Sequence, residues 1–160
     1  DCYALVFLAL RTFKTEGVAL SKLRSCFAIT SFGIYKHWDE NDKALPKIKT
    51  FTTDIPAELD IEFGFIINCK KAKGKKLTYC IYHPDIPDES GRIMAPFSGD
   101  VYVANNDWDF YLGDTIWPPR DNKVGDWRMT LAGEVLAEKT FSVLVEHGDG
   151  EIQFWKHRGY

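Results

Sequence analysis

Ile61-Glu-Phe-Gly-Phe-Ile-Ile-Asn-Cys-Lys70 places Ile61, Phe63, Phe65, Ile67 and Cys69 at odd positions. A repeat of two sends alternate side chains to opposite faces of a strand, so the segment predicts a strand with one apolar face. Leu77, Tyr79 and Ile81 repeat the odd parity in the next segment, Lys76–Tyr82. Lys71-Ala-Lys-Gly-Lys75 lies between them, and its Gly74 suits a turn, so the two segments are expected to form a hairpin. If both odd faces meet one core, Cys80 points away from the face of Cys69, and no bridge joins them.

Working outward, the period of two begins near Phe27. Ala28–His37 alternates weakly, Trp38-Asp-Glu-Asn-Asp42 is a polar turn, and Lys49–Thr53 is a short strand. Asp54-Ile-Pro56 ends it, with Pro56 at an edge or strand end. Pro84, Pro87, Pro96, Gly91 and Gly99 mark residues 84–99 as a long loop. Asp100–Ala104 and Trp108–Tyr111 read as short strands, and Trp117-Pro-Pro119 to Val124 as a loop. Asp126–Leu131 and Val135–Leu144, joined by a tight turn at Ala132-Gly133, form a closing hairpin. The expected architecture is an antiparallel β-sandwich of about seven or eight strands over residues 27–144. Residues 1–26 read as a short helical or irregular appendage, and residues 145–160 as a polar tail in which Ile152, Phe154 and Trp155 suit one more strand. There is no internal repeat.

Composition bounds the function. The chain has 160 residues, 45% of them hydrophobic, and a formal charge of −3. It carries 11 Phe, 7 Tyr and 5 Trp, ample material for a β core. The acidic balance argues against nucleic acid as a partner. The longest apolar run, Cys2–Leu10, is half the length of a membrane span. It has the size of an export-signal core, but Asp1 precedes it without a basic n-region, and no small-x-small cleavage site follows. With no Cys-x-x-Cys among Cys2, Cys26, Cys69 and Cys80, reduced thiols and a cytoplasmic location are expected. A periplasmic or secreted location follows instead if an upstream signal has been removed.

Two stretches near the end resemble known architecture. Val124-Gly-Asp-Trp-Arg-Met-Thr-Leu131 and Ala137-Glu-Lys-Thr-Phe-Ser-Val143 are similar to the last two strands of immunoglobulin-like sandwiches. Trp127 takes the place of the corner aromatic, its ring buried and its N–H aimed at a backbone acceptor. Ser31-Phe-Gly-Ile-Tyr-Lys-His-Trp-Asp39, Phe51-Thr-Thr-Asp-Ile-Pro-Ala-Glu58, Ile61-Glu-Phe-Gly-Phe-Ile66 and Asn106-Asp-Trp-Asp-Phe-Tyr-Leu-Gly-Asp-Thr-Ile-Trp117 are similar to an uncharacterised bacterial immunoglobulin-like family of unknown function. The resemblance covers about residues 31–143 and implies a bacterial source and a sandwich. It supplies no activity and no catalytic residues.

Candidate chemistry centres on Asn105–Asp114. Parity places Asp107 and Asp109 on one strand face and Trp108 and Phe110 on the other. With Asp114 and Asn106, the two carboxylates suit a hard cation such as calcium, although Pro118 stands where an EF-hand would carry its bidentate Glu. The simpler reading is a strand with an acidic solvent face, with Asp114 starting a turn. His37-Trp-Asp-Glu40 and His83-Pro-Asp-Ile-Pro-Asp-Glu89 each pair one His with acids, and neither supplies the second local His or Cys that zinc prefers. Lys70, Lys71, Lys73, Lys75 and Lys76 read as a solvated hairpin tip. Trp38, Trp108, Trp117 and Tyr111 would make a sugar platform if exposed, or core if not.

No nucleophile elbow, P-loop, dinucleotide fingerprint or His-Glu-x-x-His occurs. The expectation is a non-catalytic binding or protein-interaction module without cofactor or metal. Its partner, a protein or small ligand, would meet an exposed sheet face or the loops Pro84–Gly99 and Asp114–Val124. Asp107, Asp109, Asp114 and Trp117 are its candidate ligand-binding residues. A carbohydrate- or calcium-binding envelope domain and an enzyme assembled across loops are the alternatives.

Overall fold

The period-two segments fold as nine strands in a computed structural model that describes residues 25–39, 41–132 and 136–145. They are β1 (Cys26–Tyr35), β2 (Ile48–Thr50), β3 (Asp54–Pro56), β4 (Glu62–Lys70), β5 (Lys76–Tyr82), β6 (Phe97–Tyr102), β7 (Asp107–Thr115), β8 (Gly125–Leu131) and β9 (Ala137–Leu144). One sheet has the order β2-β1-β4-β7 and the other β3-β9-β8-β5-β6. The expected appendage and C-terminal tail lie outside the described residues, except that Ser25 and Val145 are described and Cys26 already belongs to β1.

The odd parity holds. Phe63, Phe65, Ile67 and Cys69 of β4 are buried on one side, with Leu77 and Ile81 of β5 on the other. Trp127, Met129 and Leu131 of β8 and Phe141 and Val143 of β9 complete the core. Phe63 bridges the sheets, its ring 5.4 Å from Trp127 and 5.6 Å from Phe141, both edge-on. Trp127 is fully buried and donates from Nε1 to the Lys123 carbonyl at 2.9 Å, as the corner motif requires.

The weak alternation of the first strand has a local cause. The β1–β4 register slips between Ile29 and Ser31. Phe27 and Ile29 face the core before that bulge, and Phe32 and Ile34 face it after, so one extra residue inverts the parity.

Three expectations are corrected. β4 and β5 do not form a hairpin: β4 pairs with β1 and β7, and β5 with β6 and β8. Their two apolar faces stack across the core, so residues 71–75 cross from one sheet to the other. The crossing is held by Lys71 N–H on the Asn106 carbonyl and Gly74 N–H on the Val103 carbonyl, with Ala72 buried beneath. The sandwich is also not purely antiparallel. The short chain after β2 crosses to the second sheet and lays β3 parallel to β9, where Pro56 ends an edge strand. Third, the thiols are not all reduced: Cys69 and Cys80 are free, but Cys26 is disulfide-bonded.

β6 and β7 are longer than their alternation suggested, and each is the outermost strand of its sheet. The short 103–106 connection keeps these two edges together on one open side of the sandwich. That side carries the site.

Candidate functional site

β4 and β7 pair with Glu62 opposite Thr115, Gly64 opposite Gly113 and Ile66 opposite Tyr111. These residues occupy the outer face of their sheet, since the odd residues of β4 fill the core. A Cβ on Gly113 would stand 2.0 Å from the Tyr111 hydroxyl. The missing side chain therefore lets the Tyr111 ring lie back along its own strand. From there its hydroxyl donates to Glu62 Oε1 at 2.6 Å, while Thr115 Oγ1 donates to Oε2. Tyr35 and Trp38 pack edge-on to the Tyr111 ring at 5.1 and 5.3 Å.

Glu62 is thus a buried carboxylate held by two hydroxyls, with no ion pair among the described residues. Burying a carboxylate is costly unless it is hydrogen-bonded, and the two hydroxyls meet that need here. Burial, and then the Glu62 carboxylate, push the Tyr111 phenol far above its ordinary value.

A groove of about 570 Å³ opens beside this carboxylate along the β7 edge. Phe110, Leu112 and Asp114 of β7 line its inner wall. Tyr79 of β5 with Phe97 and Val101 of β6 face them, and Trp38, Tyr111 and Glu62 form the outer lip. Its size falls in the usual range for ligand pockets. Burial pushes the Asp114 carboxyl up to about 6, and Glu62 adds to the shift. The Thr115 N–H, His83 and Lys123 oppose it.

The four residues singled out from sequence do not converge. Asp107 and Asp109 share an exposed outer face, as parity predicted, where Asn68 Nδ2 donates to both at 2.8 and 2.9 Å. Asp114 lies on the opposite face, inside the groove. Trp117 stacks under the Lys123 ammonium, 4.2 Å from its ring centroid, and lies 6.1 Å from both Phe97 and Trp127. Among the described residues no group of three or more His, Cys, Asp or Glu is placed to hold a metal ion. The four aromatics also divide. Trp38 and Tyr111 meet on the outer face, Trp108 stacks on Phe110 at 5.5 Å, and Trp117 belongs to the corner.

The lysines of the crossing are exposed. Lys75 rests 5.9 Å from the Phe27 ring, and Lys76 pairs with Asp100 at 3.2 Å. His37 is exposed, and both ring nitrogens of His83 lie against backbone carbonyls, of Pro84 and Ala95. No helix among the described residues is long and apolar enough to cross a membrane.

Residues 23–143 match the family model described as Domain of unknown function (DUF3859). The chain belongs to this family. The matched span contains every groove residue named above. Among solved structures the chain is similar to an immunoglobulin-like protein from Pseudomonas aeruginosa. The two share 21% identity at a TM-score of 0.58, over 74% of this chain and 96% of that one. That likeness establishes an immunoglobulin-like fold for the domain. No curated protein matches its sequence significantly.

Glu62, Thr115 and Lys123 escaped the sequence reading. Glu62 sits at an even position that parity assigns to solvent, and only the Tyr111 ring folded over Gly113 buries it. The available signal was the pairing of a glycine two residues after Glu62 with a glycine two residues before Thr115. Lys123 carries no local signal beyond standing four residues before the corner tryptophan.

Proposed function

We propose that this domain is a non-catalytic binding module whose ligand enters the groove between the β6 and β7 edges. The observation that carries this reading is the juxtaposition of the groove of about 570 Å³ with the buried Glu62 carboxylate, which two hydroxyls hold in place. Apolar walls supply area, and a few fixed polar groups supply orientation, which is the usual composition of a ligand site. Asp114 is retained from the sequence reading as a groove residue, whereas Trp117 is occupied by Lys123. Asp107 and Asp109 serve as an acidic flank.

The test is amide and indole chemical-shift mapping of the whole chain against a panel of small aromatic, cationic and saccharide fragments. Shifts clustered on Trp38, Phe97, Phe110 and Tyr111 are expected. Fragment shifts scattered over other surfaces, with these residues silent throughout the panel, would overturn the reading.

A further inference from the structure

The backbone of β7 points to the kind of ligand. Ile116 N–H donates to the Ile61 carbonyl, and the Ile116 carbonyl accepts from Asp60 N–H. Both polar groups of Ile116 therefore face β4. Along an antiparallel strand these groups alternate in direction. Those of Asp114, Leu112, Phe110 and Trp108 then also face β4, while those of Thr115, Gly113, Tyr111, Asp109 and Asp107 face away. Thr115 satisfies its outward N–H on the Asp114 carboxylate. Among the described residues no strand pairs with the far edge of β7, so the outward N–H and C=O groups of Tyr111 and Gly113 border the groove.

An unpaired strand edge of this kind is a template for an added strand. Successive side chains of such a strand would alternate between two environments. One set would enter the apolar wall of Tyr79, Ile81, Phe97 and Val101, and the other would lie over Tyr111 and Trp38 beside Glu62. Charge selects the occupant. Asp107, Asp109 and Asp114 lie along β7 with Glu62 beside it, while Asp100 on the facing β6 edge is already paired with Lys76. A second copy of β7 would bring two acidic strands together, whereas a basic strand complements them.

We propose that the open edge of β7 takes up an extended, basic segment of a partner protein as an added β-strand, bonded through the main chain of Tyr111 and Gly113. This deepens the binding-module reading and rests on it.

The probes are three blocked heptapeptides, titrated into the intact chain with amide shifts as readout. The first alternates Lys and Val, the second replaces Lys by Glu, and the third is the Lys-Val peptide N-methylated on alternate residues so that one edge cannot pair. The Lys-Val peptide is expected to bind and to shift the Tyr111 and Gly113 amides. N-methylation should weaken it about tenfold or more through lost strand hydrogen bonds. The Glu-Val peptide should not bind. Reversing the exposed Asp107 and Asp109 to Lys should weaken the Lys-Val peptide and leave the fold intact. Equal binding of the methylated peptide would overturn strand addition while leaving the groove a binding site. Equal binding of the acidic peptide would overturn the charge argument. Self-association of the chain that covers the Gly113 edge of β7 and excludes all three peptides would make a second copy the occupant and overturn the proposal. A silent groove with all peptides, and with the fragment panel, would remove both readings.

Discussion

The Tyr111 hydroxyl reaches Glu62 Oε1 at 2.6 Å although the two residues stand four positions apart in the β4–β7 register. The phenol crosses Gly113 to get there, and it supplies one of two donors to a buried carboxylate. Removing it in Tyr111→Phe leaves Glu62 under-satisfied in a buried setting, at a cost of about 1–3 kcal/mol. Urea unfolding measures the loss. Adding Glu62→Met to that variant should recover part of it, because the stranded acceptor is then gone. If the double variant simply sums the two single costs, the bond is not the source of the effect.

Gly113 is required by that same crossing. An alanine methyl would meet the Tyr111 hydroxyl at 2.0 Å and the Phe63 carbonyl at 2.5 Å. The ring must leave Glu62 or the strand must shift, so Gly113→Ala should cost about 2–4 kcal/mol, in the range of overpacking plus a broken buried bond. Gly74 is the contrast. Open space surrounds it and its φ is 83°, so Gly74→Ala should cost only about 1 kcal/mol of backbone strain. Equal penalties at the two sites would show that Tyr111 is not the obstruction.

These effects explain what could be read in advance. Odd parity in β4 and β5 specified their core faces, and Gly125-Asp126-Trp127 specified the corner, because period and local turn chemistry reside in neighbouring residues. Which strands pair is a long-range property. The Lys71–Lys75 segment has the composition of a hairpin turn whether it joins strands of one sheet or crosses to the other. The site is less legible still. Asp107 and Asp109 share the face that parity gave them, but Asp114, at an even position, belongs to the opposite one. Glu62 becomes notable only when a ring from another strand covers it.

Asp114 makes stability depend on pH. Its folded carboxyl is raised from 3.8 to about 6, so the native state holds the proton more tightly than the unfolded chain. The resulting stabilisation is complete below about pH 4 and is lost as pH rises through about 6. The full difference corresponds to roughly 3 kcal/mol at 1.36 kcal/mol per unit. Asp114→Asn keeps an acceptor for the Thr115 N–H and removes the titration. It should flatten the profile between pH 4 and 6 and raise stability at pH 7. Chemical unfolding at several pH values checks this, and an unchanged slope in the variant would assign the dependence to another group.

Cysteine reactivity should follow burial. Cys69 is fully buried, and burial followed by the Asp109 charge pushes its thiol to about 11. Cys80 is half-buried on the opposite face of its own sheet. Iodoacetamide at neutral pH should therefore label Cys80 first, with Cys69 protected until the chain unfolds. Cys26 should react only after reduction. Peptide mapping by mass spectrometry reads all three, and early labelling of Cys69 would contradict the closed core.

Lys123 couples the corner to the groove. Its side chain is fully buried, donates to the Pro119 carbonyl at 3.0 Å and to Asn122 Oδ1, and lies over Trp117. Burial lowers its pKa, and Asp114 works against that lowering. Lys123→Met keeps most of the volume and removes the charge, so the lost contacts are offset by avoided desolvation, and stability should change by only about 1–2 kcal/mol. The pH profile is the sharper readout. Lys123 holds the Asp114 carboxyl below the value that burial alone would give, so its removal should move the inflection near pH 6 upward. The shift should vanish when Asp114→Asn is added. An inflection that stays in place would mean that the two charges do not sense one another, and that His83 alone opposes the burial of Asp114 from the charged side.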